Sequence, residues 1–151
     1  MAVYQIVRMG DSILKEKAQE VSKITPNIHK LLDNMAETMY EAKGVGLAAP
    51  QIGIPKRVVV IDTGEGLFEL VNPVILEKTG EEVDQEGCLS IPNLVGDVRR
   101  AKRVVAQALN RQGEMIEYEV EGLLARAFQH EIDHLNGILF VDVAEKIYEK
   151  A

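Results

Sequence analysis

Residues 127–137 read AFQHEIDHLNG and hold two of the three histidines of the chain, four positions apart. On a helix this spacing places both side chains on one face, one turn apart, so His130 and His134 can bind one metal ion together. Glu131 follows the first histidine, and in an H-E-x-x-H pattern it acts as a base beside the metal rather than as a ligand. A third ligand must come from elsewhere in the chain.

Three sources compete for this third ligand. Metzincin proteases carry a histidine six residues beyond the motif, but Phe140 occupies that position here. Thermolysin-like proteases use a carboxylate on a later helix, and the few residues after His134 leave little room for one. Upstream, EGCLS contains Cys88, the only cysteine, after a glycine that permits close approach to an ion. We therefore predict Cys88, His130 and His134 as ligands, a set that suits Zn²⁺ or Fe²⁺ and leaves one position open.

Two helices and several strands are predicted to position these residues. The first helix follows Thr25, a predicted cap, starts at Pro26 and stops before Gly44. The second spans GLLARAFQHEIDHLNG and ends at Gly137. A D-x-x-E pattern that starts at Asp142 predicts a short terminal helix. Between the long helices lie the strand-like runs RVVVID, LFELVNPVIL, EEVDQEG, VRRAKRVVAQALN and EMIEYEVE. This order predicts a single α+β domain of mainly antiparallel strands around the H-E-x-x-H helix, with an N-terminal and a short C-terminal helix.

Composition excludes several classes of function. A net charge of −7 over 151 residues argues against DNA binding, and the basic run RRAKR (99–103) is interpreted as a solvated strand face. The sequence has no apolar run long enough to span a membrane. One cysteine cannot form an internal disulfide, and a reducing cytosol is expected.

Three segments resemble the motifs of the peptide deformylase family: GVGLAAPQIG (44–53), EGCLS (86–90) and QHEIDHLNG (129–137). They follow the family's order, and the similarity extends from ILKEKAQEV to LFVD, over nearly the whole chain. The resemblance implies a metal-dependent hydrolase that removes the N-formyl group from the formylmethionine of new polypeptides. It gives Cys88, His130 and His134 to the metal and Glu131 to proton transfer.

The resemblance also assigns residues to the substrate. The side-chain amide of Gln51 and the backbone N–H of Leu89 would stabilise the negative charge that develops on the formyl oxygen. A strand-like edge, Gly44 to Gly46, would pair with an extended peptide. The methionine pocket would be bordered by Val45, Glu86, Arg126, Ala127 and His130. Arg126 is expected to form the wall with its aliphatic stem while its charge reaches water.

The family generally works with Fe²⁺, and its members can be isolated with Ni²⁺, Co²⁺ or Zn²⁺, so one Fe²⁺ per chain is expected. The implied partners are N-formylmethionyl nascent peptides in a bacterial cytoplasm, with transient ribosome contact. The tail after Asp142 is shorter than the C-terminal helix that many bacterial relatives use for that contact. Two alternatives are a small zincin-type peptidase and a non-catalytic, metal-stabilised module that binds peptides.

Overall fold

The computed structural model describes residues 2–150, which form helices and antiparallel strands. The helices are α1 (Pro26–Glu41), α2 (Gly122–Leu135) and the short α3 (Phe140–Val143). The strands are β1 (Gly46–Ala48), β2 (Val58–Ile61), β3 (Phe68–Thr79), β4 (Glu82–Cys88), β5 (Ile91–Arg100), β6 (Arg103–Leu109), β7 (Met115–Glu121) and β8 (Lys146–Glu149). None of the helices in this part of the chain is long and apolar enough to cross a membrane.

The strands form two sheets. One contains five strands in the order β1-β2-β3-β6-β7, and the other contains three in the order β4-β5-β8. Neighbouring strands within each sheet run antiparallel. The predicted α+β class with mainly antiparallel strands is therefore confirmed. Strand β1 lies at an edge of the larger sheet and β4 lies at an edge of the smaller one, so each has one side free of sheet pairing.

Helix α1 confirms the first predicted helix. It begins at Pro26, whose fixed φ suits the first helical position. Thr25 stands at the N-cap with extended backbone, but its side chain makes no capping hydrogen bond. The buried face of the helix packs against β1 and β2. Its members recur at helical spacing, and they are Ile28, Leu31, Leu32, Met35 and Met39.

Helix α2 confirms the second predicted helix and joins the two sheets. Phe128 packs edge-on against Phe68 and Tyr118, with ring centroids 5.7 and 5.8 Å away. Gln129 exchanges two hydrogen bonds of 3.0 Å with the backbone of Ala101, just after β5. The helix stops before Gly137, whose φ of +75° favours glycine.

The C-terminal segment differs from the prediction. A short C-terminal helix is present, but it begins at Phe140, and Asp142 lies inside it, where its carboxylate accepts the Leu139 N–H at 2.9 Å. The prediction that a helix continues beyond Asp142 is wrong, because Lys146–Glu149 forms strand β8 instead. This segment pairs with β5, and that long-range pairing overrides the local capping pattern.

Candidate active site

The three predicted metal ligands lie together. Cys88 ends β4, while His130 and His134 stand one turn apart on α2. One ligand atom from each residue lies within 4.8 Å of the other two, and Sγ of Cys88 is 3.3 Å from Nε2 of His134. Ligands around a four-coordinate metal, at about 2.0–2.3 Å from it, are separated by about 3.5 Å. A thiolate and two imidazoles at these separations fit a divalent metal ion.

Glu86 fixes the orientation of one of these ligands. Nδ1 of His130 donates to its carboxylate at 2.8 Å, which leaves Nε2 of His130 to face the metal position. Arg100 and Arg126 donate to the same carboxylate, at 2.9 and 2.7 Å. Burial alone would raise the pKa of Glu86, but hydrogen bonds from His130 and Arg100 outweigh burial and hold that pKa well below its usual range. Glu86 is thus a buried anion that orients His130, one of the predicted metal ligands.

Arg126 departs from its expected geometry. Its guanidinium is buried and donates to Glu86, to the Val98 carbonyl at 2.9 Å and to the Glu82 carbonyl at 3.0 Å. The expectation that its charge reaches water is wrong, because a carboxylate and two carbonyls take its donors inside the protein. Arg126 still lines the cavity, so it contributes to the wall of the pocket.

The arginines of the basic run 99–103 form ion pairs with acidic residues of the same chain. Arg99 binds Glu145 at 2.8 Å, and Arg103 binds Glu119 at 3.2 Å, both at the surface. Arg100 is only 8% exposed, so the interpretation of the run as a solvated face is wrong at this position. No sequence pattern pointed to Arg100, because fourteen residues separate it from Glu86 and only the pairing of β4 with β5 brings the two together.

Glu131 is buried beside the ligands. Its Oε2 lies 4.0 Å from Nε2 of His130, and its Oε1 has no hydrogen-bond partner among residues 2–150. Burial raises the pKa of Glu131 to about 7. A Cβ placed on Gly46 would lie 2.5 Å from Oε2, so the carboxylate occupies the space that this glycine leaves open.

Gln51 presents its amide nitrogen to the metal position. Its Oε1 accepts the Ala48 N–H at 3.0 Å, which fixes the side-chain orientation. Its Nε2 donates to Oγ of Ser90 at 3.1 Å and lies 3.5 Å from Sγ of Cys88. Leu89 follows Cys88 in the turn between β4 and β5, so its amide is next to the thiolate. No role was predicted for Ser90 from the sequence, although it is the serine of the EGCLS motif.

A cavity of about 510 Å³ connects these groups to solvent. It lies between the residues that lead into edge strand β1 and those of edge strand β4. The predicted residues that line it are Gly44, Val45, Gly46, Gln51, Glu86, Cys88, Leu89, Arg126, Ala127, His130 and Glu131. His134 is absent from this lining and is buried behind it, with 1% exposure. Further lining residues are Ala42, Lys43, Gln85, Gly87, Pro92, Leu123 and Lys150.

Residues 3–150 match the family model described as polypeptide deformylase. The peptide deformylase of Desulfitobacterium hafniense is 65% identical, over 97% of this chain and 97% of that protein. The chain belongs to the peptide deformylase family. The peptide deformylase of Carboxydothermus hydrogenoformans is 64% identical, over 99% of each chain.

Solved structures of the family share the fold. The crystal structure of peptide deformylase from Thermotoga maritima has a TM-score of 0.93 and 46% identity, and the match covers 95% of this chain and 98% of that one. The enzyme from Synechococcus elongatus in complex with actinonin has a TM-score of 0.92 and 43% identity, covering 95% and 79%. Family membership makes the chain an enzyme, and it does not favour the zincin-type peptidase or the non-catalytic module.

Proposed function

We propose that this chain hydrolyses the N-formyl group of N-formylmethionyl peptides and releases formate. The observation that carries this proposal is the convergence of Cys88, His130, Glu131 and Gln51 on one cavity between two strand edges. His134 lies behind this lining, with its ligand atom within 4.8 Å of those of Cys88 and His130. The ligands suit one divalent metal ion, Fe²⁺ in the cell, with Zn²⁺, Ni²⁺ or Co²⁺ as substitutes. When bound, that ion supplies Lewis-acid activation of water near neutral pH.

Glu131 is proposed to move the protons. A carboxyl group whose pKa lies at about 7 can accept a proton from water and return it to the leaving amine near neutral pH. Its carboxylate lies against Gly46, 4.0 Å from Nε2 of His130, which supports a role beside the metal rather than as a ligand. Glu131 can therefore both accept the proton from water and protonate the leaving amine.

Gln51 and Leu89 are proposed to stabilise the oxyanion. Attack on the formyl carbon places negative charge on its oxygen, and donors that are already oriented stabilise that charge best. The Ala48 N–H holds Oε1 of Gln51, so Nε2 is directed toward Cys88 and Ser90 before substrate binds. The Leu89 N–H, one residue from the thiolate, is the second proposed donor.

The peptide is proposed to bind as an extended strand between the two edges. Gly44, Val45 and Gly46 offer backbone groups on one side, and Gln85 to Gly87 offer them on the other. The methionine side chain would enter the pocket bordered by Val45, Glu86, Arg126 and Ala127. Glu86 and Arg126 bind each other there, so the wall that they form carries compensated charge that an apolar thioether can contact.

The proposed partners are N-formylmethionyl nascent peptides in a bacterial cytoplasm, with transient ribosome contact. Ribosome pelleting in the presence of the purified protein tests that contact independently of catalysis. Co-sedimentation would support it. Protein that stays in the supernatant would remove this partner and leave the hydrolytic reaction in place.

The decisive experiment measures formate release from a formyl-Met tripeptide by anaerobically purified protein, with metal content determined on the same sample. Turnover with about one Fe²⁺ per chain, and loss of turnover on chelation, are expected. Glu131→Gln should keep the metal and lose turnover. Full metal occupancy without formate release would overturn the proposal, and cleavage of an internal peptide bond would indicate a peptidase instead.

A further inference from the structure

Two lysines from distant parts of the chain line the mouth of the active-site cavity. Lys43 lies between α1 and β1, and its backbone N–H donates to the Tyr40 carbonyl at 3.0 Å. Lys150 directly follows β8, and its N–H donates to the Asn93 carbonyl at 2.9 Å. Both side chains are exposed, whereas Glu131 is buried. Their backbones are thus anchored, and both residues are exposed where they line the cavity.

These lysines are the exposed charged residues among those that line the cavity. The other charged side chains that line the cavity, Glu86, Arg126 and Glu131, are buried, and Glu86 is compensated by arginine. Among residues 2–150, neither Lys43 nor Lys150 has a carboxylate oxygen within 4.0 Å of its ammonium nitrogen. The chain as a whole carries a net charge of −7, so a cationic entrance runs against its overall charge.

We infer that Lys43 and Lys150 select substrates with a carboxylate shortly downstream of formylmethionine. This inference rests on the proposed deformylation, which places the formyl group at the buried end of the cavity. The rest of the peptide must then extend out of the cavity past its exposed lining residues, Lys43 and Lys150. Exposed ion pairs contribute modestly, so each lysine should change the relative kcat/KM by about twofold to fivefold.

The C-terminal strand β8 acquires a role through this inference. Val95 pairs with Tyr148 and Leu94 pairs with Glu149, so β8 runs along β5 toward the cavity. Pro92 on β5 and Lys150 beyond β8 both line it. Strand β8 thereby positions Lys150, one of the two lysines proposed to contact the peptide.

The test compares kcat/KM for two C-terminally amidated peptides, formyl-Met-Ala-Asp-Ala and formyl-Met-Ala-Asn-Ala, with the metal-loaded enzyme. We expect the aspartate peptide to be favoured several-fold at low ionic strength. The preference should vanish in about 1 M salt, where the Debye length is about 3 Å. A free-acid formyl-Met-Ala-Ser tripeptide, compared with its amide, shows whether a terminal carboxylate is selected as well as an acidic side chain.

Lys43→Glu and Lys150→Glu should each lower or invert the Asp:Asn ratio, whereas Lys23→Glu is the matched control. Lys23 is also exposed but lies outside the cavity, so the same charge change there should leave the ratio intact. A wild-type ratio near one, with normal turnover of the asparagine peptide, would overturn the inference. Absence of formate from every peptide would instead count against the proposed function.

Discussion

Glu86 on β4 accepts a hydrogen bond of 2.8 Å from Nδ1 of His130 on α2. This contact joins the smaller sheet to α2 and determines which ring nitrogen of His130 faces the predicted metal position. Arg100 and Arg126 hold the carboxylate from the other side. The orientation of a ligand therefore depends on a buried cluster of charges rather than on α2 alone.

Replacing Glu86 by glutamine should weaken metal binding about 10- to 100-fold, because His130 loses its anionic acceptor. The change also leaves Arg100 and Arg126 with fewer partners, so the protein should unfold at lower denaturant concentration. Competition with a chelator, followed by metal analysis, measures the affinity. Glu82→Gln, at an exposed position of the same strand, is the control. Equal metal affinity in both variants would contradict the role of Glu86.

Glu131→Gln should stabilise the metal-free protein at high pH. The folded state keeps the Glu131 proton up to pH of about 7, whereas the unfolded chain releases it near the ordinary value of 4.5. The stability of the wild type therefore falls as pH rises through this window, and glutamine removes that fall. At about 1.4 kcal/mol per pH unit, the gain is about 3 kcal/mol at pH 8 and below about 1 kcal/mol at pH 5.

Urea unfolding of both metal-free proteins at pH 5 and pH 8 measures this gain. Glu117→Gln, at an exposed position on β7, should show no comparable dependence on pH. A gain for Glu131→Gln that is equal at the two pH values would show that burial does not raise the pKa of Glu131.

Gly46→Ala should impair turnover far more than folding. The added Cβ would lie 2.5 Å from Oε2 of Glu131, so the carboxylate must move away from the metal position. A displacement of about 1 Å at a reacting group can cost about 100-fold in rate. Gly87→Ala also adds a methyl group in the cavity, but its nearest neighbour, Cγ1 of Val95, is 3.7 Å away. Comparable kcat/KM losses in both variants would argue against a specific clash with Glu131.

Gly137→Ala should destabilise the fold by about 3 kcal/mol or more. Its φ of +75° disfavours alanine, and a Cβ there would lie 2.4 Å from the Lys15 carbonyl oxygen. Gly113→Ala separates the two causes, because Gly113 has a φ of +80° but no atom closer than 3.6 Å to the added Cβ. That control should cost about 1–2 kcal/mol in thermal or urea unfolding. Equal losses would show that backbone strain alone accounts for the effect.

Helices α1 and α2 could be predicted because their signals are local. Pro26 marks the start of α1 and Gly137 marks the end of α2, and the apolar residues between such signals recur at helical spacing. Strand β8 could not be predicted in this way. Its residues follow a capping pattern at Asp142, and only the free edge of β5 makes the strand favourable.

The chain by itself determined the chemistry: H-E-x-x-H on a helix, one cysteine, and a glutamine in a glycine-rich segment. Those features depend on residue type and short spacing, and both are present in the sequence. Tertiary structure decided which groups meet. In the folded protein Arg126 is buried and Arg100 binds Glu86. Glu86 accepts a hydrogen bond from His130, 44 positions away. It also carried Lys150 to the cavity entrance. Such contacts depend on sheet pairing and on the compensation of buried charge, which act between residues far apart along the chain.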